Sequence, residues 1–92
     1  MDIIHDHINK EFVLPLENGL KAKVLYTLDH CSGKMRLIHS EVPEKLRGKG
    51  AGKKLVLKTF EKLSEEGYQA KAVCTYVKYV ANSDPKWNSI ID

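Results

Sequence analysis

At 92 residues, 42% hydrophobic and 29% charged, the chain is sized and composed for one globular domain, 1–92, with a single modest core. No apolar run approaches the ~20 residues of a membrane span, and Met1-Asp2-Ile3-Ile4-His5-Asp6 lacks the basic start of a signal peptide, so a cytoplasmic protein is expected. The net charge of +3 is mild and its excess concentrates at residues 45–54, which argues for a local anion site over a nucleic-acid stripe; Cys31 and Cys74 form no disulfide framework and are expected as free thiols.

In chain order, residues 3–8 show no clear period and read as a short edge strand or arm. Glu11 to Leu16 is a second short strand, which Pro15 assigns to a sheet edge. Glu17-Asn18-Gly19 is a hairpin signal, after which Leu20, Ala22, Val24, Tyr26 and Leu28 alternate with Lys21, Lys23, Thr27 and Asp29. Asp29-His30-Cys31-Ser32-Gly33 is a turn, and Lys34 to Val42 returns antiparallel. Simple alternation puts Met35, Leu37, His39 and Glu41 on one face of that strand and Arg36, Ile38, Ser40 and Val42 on the other. Pro43 ends it. A helical pattern then starts at Ala51, runs through Leu55, Val56, Thr59, Phe60 and Leu63, and closes at Glu66-Gly67. Tyr68 to Val73 follows as a strand, parallel to Lys34–Val42 by the crossover rule. A short helix from Thr75 to Ala81 is stopped by Ser83-Asp84-Pro85. The expected class is α+β: antiparallel strands, a β-α-β crossover unit, and a short C-terminal helix.

The most informative stretch is Arg47-Gly48-Lys49-Gly50-Ala51-Gly52-Lys53-Lys54, at the start of the long helix. It offers no Ser, Thr, Asp or Asn cap, so the first free N–H groups lack a side-chain acceptor. Its charges oppose the helix dipole, with Lys49, Lys53 and Lys54 at the positive end and Glu61, Glu65 and Glu66 toward the negative end. A bound polyanion resolves the conflict at the N-terminus. Neither the Walker A spacing nor the dinucleotide fingerprint fits: three residues separate Gly48 from Gly52, Lys54 replaces the magnesium-binding hydroxyl, and Lys53 stands where a third glycine belongs.

The pattern Arg/Gln-x-x-Gly-x-Gly/Ala, met by Arg47, Gly50 and Gly52 after a strand ending in Val42-Pro43, resembles the acyl-CoA pyrophosphate loop of the GNAT acetyltransferase superfamily. From Asn18-Gly19 to Cys74-Thr75-Tyr76-Val77 the chain is similar to the very small stand-alone GNAT-like proteins. The resemblance implies acetyl-CoA as co-substrate, held by Arg47, Gly48, Lys49, Gly50, Ala51, Gly52, Lys53 and Lys54, with pantetheine along Glu41 and Val42 and the thioester near Cys74. It also suggests Lys78 and Trp87 for the 3′-phosphate and adenine, against the simpler readings of a surface lysine and a core-sealing indole. Typical members carry two helices before the anion loop that wall the acceptor site; here there is only a turn, so the cofactor half is present and the acceptor half nearly missing.

Three residues are candidates for the chemistry. A neutral amine must attack the thioester, so a base is useful, and Glu41 or His39 on the strand feeding the loop fits that role. Cys74, at the carboxyl end of the next parallel strand, is an alternative acyl carrier; equally, a free cysteine is often a small buried hydrophobe. Tyr76 and Tyr79 offer hydroxyls for the leaving thiolate or pack against the sheet. His5 and His7 point the same way and invite a metal with His30 or Cys31, but no fixed third ligand is legible and no metal is expected. The expected activity is acetyl transfer to an amine, on a protein or peptide among others, with a second copy as a candidate partner. The competing readings are a CoA-binding module without turnover and a small nucleic-acid binder.

Overall fold

Alternating side chains build five strands, which the computed structural model joins in one sheet of order β1-β2-β3-β4-β5; it describes residues 3–16, 19–46 and 50–91. Strands β1 (Ile4–Asp6), β2 (Glu11–Pro15), β3 (Lys21–Leu28) and β4 (Met35–Glu41) form an antiparallel meander. Helix α1 (Ala51–Glu66) then crosses over, and β5 (Ala70–Ala72) returns parallel to β4. Helix α2 (Thr75–Asn82) and a 3-10 turn at Pro85–Ser89 finish the chain. The expected α+β class and crossover unit are therefore present. The expected Asn18 turn position lies outside the described residues.

Short polar side chains set the turns. Asp6 accepts the N–H groups of Ile8 and Asn9 at 3.0 Å each, and Asp29 accepts Cys31 N–H and the Ser32 hydroxyl at 3.0 Å each. These bonds, from Asn9 first at Asp6 and from Cys31 first at Asp29, hold both carboxyls below the usual carboxylate range.

The core lies on one sheet face. Phe12, Leu14, Val24, Met35 and Leu37 meet Leu55, Val56, Phe60 and Leu63 of α1, and Val77 and Val80 of α2 seal the β4–β5 side. Trp87 closes the rim against Phe60, ring centroids 5.2 Å apart. The opposite face carries Lys21, Thr27, Arg36, His39, Glu41 and Lys71, all exposed. One dry face and one wet face is what an antiparallel sheet allows, provided the alternation holds.

It fails at one place. Leu37 pairs with Tyr26 but His39 pairs with Leu25, so Ile38 is an extra residue in β4. This bulge reverses the facing of everything after it. Simple alternation grouped His39 and Glu41 with Met35 and Leu37; instead His39 and Glu41 turn to the open face, and Ser40, opposite Val24, takes the core side. A second correction concerns Pro15. Strand β2 is internal rather than an edge, and Pro15 is tolerated because it is the last β2 residue, two beyond the final β1 pairing at Val13.

Helix α1 ends where Gly67 adopts φ 77°, with its N–H directed to the carbonyls of Leu63 and Ser64 and Tyr68 N–H bonding Leu63 O at 2.9 Å. A side chain at this left-handed position is strained. Gly67→Ala is expected to lower unfolding free energy by about 1 kcal/mol, read from the urea midpoint at unchanged m-value.

Candidate active site

The β4–β5 ladder is short. Paired residues are Met35–Ala70, Arg36–Lys71 and Leu37–Ala72, after which the strands separate. The last tie is the Leu37 carbonyl, which accepts both Val73 N–H at 3.0 Å and Cys74 N–H at 2.9 Å. Beyond it the chain turns into α2 with Cys74 as N-cap residue, while β4 continues through the bulge to Glu41. The end of β4 and the start of α2 therefore lie side by side with no ladder between them.

Ser40 and Cys74 meet at this junction, Oγ to Sγ 3.7 Å. The Cys74 sulfur is half-buried and makes no formed capping bond to the helix. Burial, the largest single influence, pushes the thiol pKa up, but the combined pull of the Val77 N–H, the Ser40 hydroxyl and the Tyr76 N–H outweighs it, and the pKa falls below the ordinary thiol value. Ser40 is the residue that alternation alone misses, because its position depends on the bulge.

On the open face, His39 Nε2 stands 3.5 Å from Glu41 Oε1, both side chains being about half exposed. They border an open depression of about 420 Å³ whose walls are Lys21, His39, Ser40, Glu41, Val42 and Pro43. Sequence topology gathers His39, Glu41 and Cys74 at one sheet end. The fold instead splits them: the His39–Glu41 pair looks out over the wet face, Cys74 lies on the core side, and Ser40 stands between.

At the entrance to α1, Gly50 has φ 79° and supplies no side-chain cap, and the first turn contains no acidic residue. Arg47, Gly48 and Lys49 lie outside the described residues. Lys53 and Lys54 are exposed beside Gly50, and with Leu57, Lys58, Lys86 and Trp87 they border a groove of about 440 Å³. Lys86 Nζ lies 4.7 Å from the Trp87 ring centroid, and the buried Trp87 Nε1 has no hydrogen-bond partner among the described residues. Lys78 is exposed on α2 and is not among the groove walls. Tyr79 is exposed, and the Tyr76 ring stands 3.4 Å from where a Cβ on Gly52 would be. A glycine at 52 thus lets α2 approach the start of α1.

The shifted thiol is measurable. The pH profile of Cys74 alkylation should inflect lower in the folded protein than in urea, and Ser40→Ala should move the folded inflection upward. Equal folded and unfolded profiles by peptide-resolved mass spectrometry would contradict the electrostatic assignment.

A comparison with curated proteins gives no match. A family model described as GCN5-related N-acetyl-transferase matches residues 11–90, which takes in β2 through the final 3-10 turn. With a meander, a crossover helix and a parted parallel pair in the order the motif implied, the chain belongs to the GCN5-related N-acetyltransferase family.

Proposed function

We propose that this protein binds acetyl-CoA and transfers the acetyl group to an amine that arrives over the open sheet face. The observation that carries the reading is the parting of β4 from β5 next to an uncapped, lysine-flanked helix start. Backbone N–H groups at the beginning of α1, with Lys53 and Lys54, would take the pyrophosphate. The groove under Lys86 and Trp87 suits the adenosine end, and the backbone at Glu41 and Val42 offers hydrogen bonds to pantetheine.

Acetyl-CoA supplies a carbonyl carbon already activated as a thioester. The protein's part is to deliver a neutral amine to that carbon. An acceptor amine is protonated at neutral pH, and the His39–Glu41 pair on the open face is placed to take its proton, Glu41 as base with His39 as relay. Forming the C–N bond and breaking the C–S bond then expels CoA thiolate. The wet face, with a depression of mixed charge beside His39 and Glu41, leaves room for a protein or peptide amine. A second reading has one observation in its favour. The lowered Cys74 pKa suits an acyl carrier, which would accept the acetyl group on Sγ before passing it to the amine.

Titration calorimetry with acetyl-CoA tests binding first. Gly50→Asp, which adds an anion and a strained side chain at φ 79°, should weaken binding at least tenfold while the fold persists; undiminished binding would remove the loop from the site. Thiol release with peptide amines then separates the two routes. For direct attack, Glu41→Gln should slow turnover about 10²–10⁴-fold with Cys74→Ala much milder. For the acyl carrier, Cys74→Ala should abolish turnover, and the parent should gain one acetyl mass on Cys74.

A further inference from the structure

Away from the Ser40–Cys74 junction, the N-terminal edge of the sheet holds a cluster that the transferase reading does not use. His5, on β1, and His7, just after it, have ring centroids 3.7 Å apart with planes inclined at 30°. His5 Nδ1 lies 2.7 Å from Oε1 of Glu66, in the last turn of α1. One ligand atom from each of His5, His7 and Glu66 falls within a 4.8 Å cluster. We propose that His5, His7 and Glu66 form a site for a divalent transition-metal ion of the zinc class that fastens the edge strand β1 to the C-terminal end of α1.

Four features support a metal over a simple hydrogen bond. Two imidazoles and one carboxylate, supplied by a His-x-His pair and a helix, make the N₂O donor set that zinc accepts with a fourth position open to water. The His5 side chain is only 2% exposed, and its other nitrogen, Nε2, is 2.6 Å from the Tyr26 hydroxyl. That second contact is the kind of outer-shell bond that orients a metal-bound imidazole: with an ion bound, Nε2–H would donate to Tyr26 and the Nδ1 lone pair would be left for the metal. The His5 ring is also stacked on Phe12, centroids 4.3 Å apart, so its aim is fixed by packing. Lys62 Nζ, 3.9 Å from Glu66 Oε2, approaches the opposite carboxylate oxygen and leaves Oε1 to the cation.

The place of the cluster says what such an ion would do. The 16-residue helix α1 separates Glu66 from the Gly50 end by about 24 Å at 1.5 Å per residue, so a role in acyl transfer is remote. Strand β1 has only three residues and sits at the sheet edge. A cation shared between β1 and α1 would act as a cross-link in a small fold.

The test uses the full, tag-free chain stripped with chelator, titrated with Zn²⁺ by calorimetry and followed by thermal unfolding. Cys31→Ser/Cys74→Ser and His39→Ala variants control for zinc held by thiols or by the other His–Glu pair. The expected result is one Zn²⁺ per chain, micromolar or tighter, a raised Tm, and both effects retained in the controls. His7→Ala, at an exposed position, should keep the metal-free Tm and lose at least tenfold in zinc affinity, as should Glu66→Gln. Absence of zinc binding by the parent, binding unchanged in His7→Ala, or binding lost in the controls would each overturn the site.

Discussion

The Leu37 carbonyl is the hinge of this molecule. It closes the parallel ladder by accepting two successive N–H groups, Val73 and Cys74, and after it no further β4–β5 pair forms. Strand β5 stops there, so the remainder of β4 runs on toward Glu41 with β3 as its paired neighbour. The same carbonyl fixes where α2 begins, hence where Cys74 stands.

The bulge at Ile38 is the second constraint, and it acts on side chains where the first acts on backbone. Without it, His39 and Glu41 would point into the apolar face against α1, where unpaired polar groups are unfavourable. With it, the polar pair reaches water, and the small, hydroxyl-bearing Ser40 comes to Cys74. One inserted residue therefore puts two chemically different groups at the end of β4: a His–Glu pair toward solvent and, beside Ser40, a thiol with a lowered pKa toward the core.

The two ends of α1 divide the protein's polar features. Its N-terminus gathers lysines and has no side-chain cap, while its C-terminus, closed by Gly67, presents Glu66 to His5 and the edge strand. The hydrophobic stripe from Leu55 to Leu63 holds both ends at a fixed separation across the sheet. The lysine-rich end and the His5 contact are thus kept apart by one rigid element.

Patterns with a short range were legible in the sequence. The 3.6-residue stripe of α1, its missing cap, the Gly67 stop, the alternation of β3 and the crossover that makes β5 parallel to β4 all follow from local chemistry and chain handedness. The family followed from the Arg47, Gly50 and Gly52 spacing at that helix start. What the sequence left open depends on pairing between distant strands. The bulge exists only relative to β3, since an extra residue is defined by the partner it fails to meet, so the facing of His39, Ser40 and Glu41 was settled by register. The place of β2 inside the sheet came from β1 adding to its free side, and the meeting of His5 with Glu66, 61 residues apart, from α1 folding back across the meander. Local periodicity carries no information about such contacts; only the closed sheet does.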